Sequence, residues 1–212
     1  MAVRGQNGVV TESPARGDDS GGFELVVVAS SAGGVQALTQ LASELPAGFG
    51  LPVVVVQHVD PRHRSLLVEI LGRRSALRVE HAEEGTRLTP GTIFVAPPGS
   101  HVLVNPDRTL SLSKAELVHF VRPSADLLFE SAAASFTDRV IAVVLTGSGE
   151  DGASGVRAVK TMGGTVLCQD EESSEFFGMP GAAIATGSVD FVLPLGEIAA
   201  ALVSLARSAD RS

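Results

Sequence analysis

The run Leu25-Val26-Val27-Val28-Ala29-Ser30-Ser31-Ala32-Gly33-Gly34 decides how the rest of the chain is read. Its first five residues are continuously apolar rather than alternating, as in a strand covered on both faces of a sheet. Two serines and two glycines then break the run, and a helical pattern follows over residues 34–45. Strand, tight turn and helix in that order form the opening half of a βαβ unit.

Further runs of the same kind occur at residues 52–57, 92–96, 140–145, 165–169 and 191–193. Helical patterns are expected at 34–45, 65–74, 124–136, 152–162, 181–186 and 197–207, with Ser124 capping its helix. One segment departs from this rhythm. Residues 102–104 and 110–112 alternate on either side of the turn signal Asn105-Pro106-Asp107, which predicts a hairpin at the edge of the sheet. The expected fold is therefore α/β: a doubly wound three-layer αβα sandwich with a mostly parallel sheet and an antiparallel edge hairpin. One domain is expected over residues 23–207, with a disordered, weakly apolar tail at 1–22 and a short tail at 208–212.

Composition excludes several classes of partner. With 24 acidic against 16 basic residues the net charge is −8, and no basic cluster offsets it, so phosphate backbones are repelled and nucleic acid is not expected. No apolar run approaches the roughly 20 residues that span a bilayer, and the N-terminus lacks a secretory pattern, so no membrane insertion and a cytoplasmic location are expected. Cys168, the single cysteine, lies in the apolar run 165–169 and reads as inert packing.

In open α/β sheets ligands bind beyond the carboxyl ends of the strands. Three such ends carry chemistry. Ser31 follows the first strand on a turn whose backbone N–H groups face outward, a setting for a nucleophile or simply a helix cap. His58 follows the second strand in Gln57-His58, where an imidazole titrating near neutrality suits a general base; His63, His81, His101 and His119 lack a strong preceding run. The fourth main run passes into Thr146-Gly147-Ser148-Gly149-Glu150-Asp151-Gly152, where Asp151 either orients the imidazole or complements a helix N-terminus. The order Ser, His, Asp and the absence of a G-x-S-x-G elbow argue against an ordinary lipase or esterase.

Gly147, Gly149 and Gly152 also satisfy G-x-G-x-x-G, with Asp170 after the next strand, so a dinucleotide-binding domain is the rival reading. Glu150 and Asp151 count against it because they would face a pyrophosphate. A noncatalytic binding module on the same fold is a third reading.

Taken together, the motifs resemble the catalytic domain of the chemotaxis protein-glutamate methylesterase family, CheB, from Leu25 to about Leu205. The resemblance rests on Ala29-Ser30-Ser31-Ala32-Gly33-Gly34, Gln57-His58, Leu145 to Ala153, Pro90-Gly91, the run Val95 to Gly99, Arg122-Pro123-Ser124-Ala125-Asp126 and Phe177-Gly178-Met179-Pro180. It implies a serine hydrolase that removes methyl groups from esterified glutamates of a chemoreceptor-like signalling protein, with a glutamine deamidase activity beside it. Ser31, His58 and Asp151 would be catalytic, Ala32, Gly33 and Ser148 would position the substrate or bind the oxyanion, and no metal or cofactor is implied. Ser30, Ser148 and Val121 depart from the usual Ala, Met and His of the family. Most relatives carry an N-terminal receiver domain, whereas a short tail precedes Phe23 here, so either constitutive activity or control by a separate regulatory protein is expected.

Overall fold

The computed structural model describes residues 22–58 and 65–208, with no side-chain description for Ser208. Apart from Gly22 and Ser208, both expected tails lie outside the described residues. Strands β1 (Leu25–Ser30), β2 (Val53–Gln57), β3 (Arg78–His81), β4 (Thr92–Val95), β7 (Val140–Val144), β8 (Thr165–Gln169) and β9 (Phe191–Leu193) form one sheet in the order β3-β4-β2-β1-β7-β8-β9. Every pairing in it is parallel.

Side chains alternate across this sheet, so its central strands feed two cores. Leu25, Val27 and Ala29 of β1 join Val140, Ala142 and Val144 of β7 under helices α3 (Ala125–Phe136), α4 (Ala153–Thr161) and α5 (Gly178–Ala185). Val26 and Val28 join Ile141 and Val143 against α1 (Gly34–Glu44), α2 (Leu67–Gly72) and α6 (Leu195–Ser208). Burial on both faces explains why these strands read as unbroken apolar runs, and each fully buried valine or leucine contributes about 1.5–3 kcal/mol.

Three elements differ from the sequence expectation. Strand β9, expected to be covered on both faces, forms one edge of the sheet and leaves Phe191 and Val192 exposed. Strand β3 was not expected, because Arg78-Val79-Glu80-His81 occupies the half-exposed sheet edge and carries one apolar residue in four. The hairpin β5 (His101–Val104) and β6 (Leu110–Ser113) forms as expected in sequence, but as a separate two-stranded sheet instead of an extension of the main sheet's edge. Side chains of α3 take up its backbone groups: Ser131 Oγ accepts the Val104 N–H, and Ser135 Oγ donates to the Val104 carbonyl. Val102, Val104 and Leu110 then complete the core beneath α3.

The chain steps from β1 to β2, crosses to β3 at the sheet edge, comes back to place β4 between β3 and β2, and after the hairpin crosses to β7 on the other side of β1. The winding therefore reverses between β1 and β7, and a crevice at the carboxyl ends follows from that reversal.

Candidate active site

At the reversal point the ends of three strands are stitched together by their backbones. Ser31 N–H donates to the Thr146 carbonyl at 3.0 Å, and His58 N–H donates to the Ser30 carbonyl at 3.1 Å. Ser30 pairs in register with Gln57, so Ser31 and His58 are the first residues beyond two adjacent strands.

The two serines of the turn differ sharply. Ser30 completes β1, is fully buried, and donates its hydroxyl hydrogen to Gln57 Oε1 at 2.6 Å. Gln57 uses its amide hydrogens on the carbonyls of Ser31 at 2.8 Å and His58 at 2.9 Å. Ser31 is only half-buried. Gly33 then adopts φ 76° at the N-cap of α1, a left-handed backbone that glycine reaches without strain. Gly34 sits so close to the strand ends that a Cβ there would lie 2.1 Å from Gln57 Oε1.

His58 and Asp151 come together, with Nε2 2.8 Å from Asp151 Oδ2 and both side chains almost shielded from solvent. Three donors from the start of α3 converge on the same carboxylate. Ser124 Oγ donates to Oδ1 at 2.8 Å, Ala125 N–H to Oδ2 at 2.6 Å, and Asp126 N–H to Oδ1 at 3.1 Å. Burial by itself would raise the Asp151 carboxyl, but His58 and the two α3 N–H groups outweigh it and hold the group below the ordinary carboxylate value. An ionised carboxylate is acceptor-only, so Nε2 of His58 carries the hydrogen and Nδ1 of the neutral ring is the basic nitrogen. This assignment is the reverse of the Ser-His-Asp arrangement in which the acid holds Nδ1.

Ser124 occupies the N-cap of α3, as expected, but does not cap it: its hydroxyl is committed to Asp151, and Asp151 takes the helix N–H groups. Asp151 therefore contacts both His58 and the N–H groups of a helix N-terminus, although the helix is α3 and not the α4 that follows it.

The remaining expected positions lie nearby. Ala32 and Gly33 lead into α1, where Gly34 N–H returns to the Ser31 carbonyl at 2.8 Å. Ser148 is exposed on the opposite loop. That loop is held by the Phe177-Gly178-Met179-Pro180 segment: Met179 N–H donates to the Gly147 carbonyl at 2.8 Å, and Gly147 N–H to the Phe176 carbonyl at 2.9 Å. A Cβ on Gly147 would lie 2.4 Å from Met179 Sδ and 2.9 Å from Ser31 Cβ. Thr146 Oγ1 accepts the Phe176 N–H at 2.9 Å and lies 3.1 Å from the Ala32 carbonyl, joining the serine loop to this support.

The glycine pattern that suggested a dinucleotide site has a packing explanation. The N-terminus of α4, where a pyrophosphate would rest, is already occupied by a carboxylate: Asp126 Oδ1 accepts Gly152 N–H at 2.9 Å and Gly155 N–H at 2.7 Å.

Four contributors were not singled out in the sequence. Gln57 and Asp126 stood inside recognised motifs without an assigned role, and Thr146 lay one residue before the glycines. His101 was set aside, yet it is fully buried, with Nδ1 accepting Ser124 N–H at 3.1 Å and Nε2 3.0 Å from the Glu116 carbonyl. That pairing requires hydrogen on Nε2 and so a neutral ring. No sequence signal distinguished it, because its partners arrive from distant segments. Cys168 is buried in the α3-side core as expected, and burial pushes its thiol up to about 12.

The CheB methylesterase family model matches residues 26–202. A relative from Leptospira interrogans is 40% identical over 183 residues, covering 86% of this chain and 95% of its own. Protein-glutamate methylesterase FrzG of Myxococcus xanthus is 41% identical over 181 residues, 85% of this chain and 54% of its own length. Protein-glutamate methylesterase/protein-glutamine glutaminase 2 of Caulobacter vibrioides is 40% identical over 202 residues, 93% of this chain and 58% of its own. The chain thus spans little more than half of those last two. The crystal structure of the Thermotoga maritima CheB methylesterase catalytic domain superposes with a TM-score of 0.83 at 37% identity, covering 86% of this chain and 98% of that one. The chain belongs to the CheB methylesterase family.

Proposed function

We propose that the protein hydrolyses γ-methyl esters of glutamate side chains on a methylated chemoreceptor or similar signalling protein, with Ser31 as nucleophile, His58 as general base and acid, and Asp151 as the residue that orients and charges the base. The observation that carries this reading is the 2.8 Å His58–Asp151 pair placed one strand from Ser31, at the point where the sheet reverses.

His58 Nδ1 removes the Ser31 hydroxyl proton as Oγ bonds to the ester carbonyl carbon. Negative charge collects on the carbonyl oxygen, where Ala32 and Gly33 N–H groups beside the start of α1, together with the Ser148 loop, stabilise it. Collapse breaks the bond to methoxide, which leaves as methanol with the proton from His58. Water then loses its proton to the same imidazole, attacks the acyl carbon, and returns Ser31 and a free glutamate carboxylate. Asp151 remains ionised throughout and stabilises the imidazolium of each addition step. Glutamine amides follow the same route with ammonia as leaving group, which needs fuller protonation by His58 than methoxide does.

Among the described residues no helix is long and apolar enough to cross a membrane. Action on the cytoplasmic portion of a receptor completes the proposal. Incubating the chain with methyl-labelled receptors and measuring volatile methanol tests it. Time-dependent release is expected from methylated receptor and none from unmethylated receptor, whereas a methylated receptor that keeps its label contradicts the proposal.

A further inference from the structure

Helices α3 and α4 exchange carboxylates at their N-termini. Asp151, just before α4, accepts the first two N–H groups of α3. Asp126, in the first turn of α3, accepts the Gly152 and Gly155 N–H groups at the start of α4. Neither helix has a local side-chain cap: Gly152 has no side chain to offer, and Ser124 gives its hydroxyl to Asp151.

This crossed arrangement depends on close approach of the two helices. Gly155 packs on Phe129 so tightly that a Cβ would lie 2.5 Å from the phenylalanine Cβ. At that separation the short Asp126 side chain reaches across to α4. Gly152 is the residue after Asp151 and has φ 102°, so its N–H is anchored at a bend in the backbone that aims the preceding side chain. Asp126 thus grips Asp151 twice, through its own N–H to Oδ1 and through the peptide that follows. Its second oxygen, Oδ2, lies 3.2 Å from His119 Nε2, which leaves Oδ1 to serve both glycine N–H groups.

We propose that Asp126 is a positioning residue for the hydrolysis, holding the α4 turn so that Asp151 Oδ2 stays on His58 Nε2. The inference rests on the reading of His58 and Asp151 as catalytic. Asp126 is 3% exposed, so it acts through Asp151 and not through contact with substrate. Its loss therefore lowers kcat and leaves KM unchanged.

Asp126→Ala and Asp126→Asn separate this role from a purely structural one. Asparagine keeps a carbonyl oxygen for the Gly152 and Gly155 N–H groups, while alanine removes it. In folded Asp126→Ala we expect a fall in kcat of about 10- to 100-fold, the cost of misplacing a catalytic group by about 1 Å, with KM unchanged. Loss of the low-field imidazole N–H proton resonance of His58 is expected in the same variant. In Asp126→Asn the resonance persists and kcat stays within about threefold of the parent protein. A folded Asp126→Ala with parental kcat and an unaltered His58 resonance overturns the proposal. Should the alanine variant fail to fold, Asp126→Asn decides: disappearance of the resonance there shows that amide acceptance does not position Asp151. Asp151→Asn in the same methanol assay distinguishes the two levels of the argument. Full activity of that variant removes the acid assignment itself, whereas an inactive Asp151→Asn beside a fully active Asp126→Ala removes Asp126 alone.

Discussion

Ser30 Oγ donates to Gln57 Oε1 across 2.6 Å, and that bond separates two adjacent hydroxyls that the sequence alone distinguished only by alignment. Ser30 is buried and committed to holding β1 against β2, while Ser31 stands one residue beyond the strand and is only half-buried.

Substitutions at these two positions should therefore behave differently. Ser31→Ala abolishes methanol release with an unchanged melting temperature. Ser30→Ala strands the buried Gln57 oxygen, which costs about 1–3 kcal/mol, and retains measurable turnover. Thermal melts run beside the methanol assay check both, and the reverse pattern would assign the chemistry to Ser30.

Asp151→Asn removes the charge that stabilises the His58 imidazolium and favours the wrong tautomer of the ring. The expected loss in kcat is about 10³- to 10⁴-fold. Circular dichroism should show an intact fold, because asparagine still accepts N–H groups of α3, with a stability cost of about 1 kcal/mol.

The two exchanged carboxylates give opposite pH dependences. Asp151 is held below its ordinary value, so its contribution is present above the unfolded value of about 4 and is lost as pH falls through the lower folded value. Asp126 is raised, chiefly by burial and further by Asp151, although the Gly155 and Gly152 N–H groups oppose the rise. Its stabilising contribution is therefore present below about pH 4 and disappears as pH rises through the folded value. Melting temperatures measured from pH 2.5 to 6 should show a shallower acid loss for Asp151→Asn than for the parent chain. Asp126→Asn should show the parental acid loss or a steeper one, and identical profiles for all three proteins would contradict this electrostatic account.

Gly34→Ala places a methyl group where Gln57 Oε1 lies 2.1 Å away and Ser30 Cβ 2.7 Å away. The strand ends must separate to admit it. Overpacking of this kind costs about 1–3 kcal/mol, and kcat should fall with it because Ser31 and His58 leave those same strand ends. A denaturant melt and a kcat measurement on one preparation test the link; full stability with full turnover would break it.

Cys168 should remain unmodified by a thiol reagent at pH 8 in the folded protein and react once denaturant is added, because burial pushes its thiol up to about 12. Rapid labelling under native conditions would show that the β8 core opens.

How much of this was legible in the sequence follows from what each residue contacts. Strands β1, β2, β4, β7 and β8 announced themselves because both faces are buried, and Ser31, His58 and Asp151 each follow one of them. Strand β3 escaped because a sheet edge needs little apolar content. The hairpin was read correctly as β5 and β6, but its docking on α3 depends on Ser131 and Ser135, polar residues with no signal of their own. In the site, the carboxylate exchange between Asp126 and Asp151 joins residues 25 positions apart through backbone N–H groups, and neither residue type nor spacing encodes such a pairing. Which nitrogen of His58 faces the acid was equally invisible, since it depends on the direction from which Asp151 arrives.

The most direct test of the account is titration of the protein with an organophosphonate ester, with methanol release followed as label is incorporated and the labelled peptide then mapped. The account predicts that activity falls in proportion to incorporation, reaches zero near one label per chain, and that the label resides on Ser31. A label on another residue, or undiminished methanol release from protein fully modified at Ser31, would contradict it.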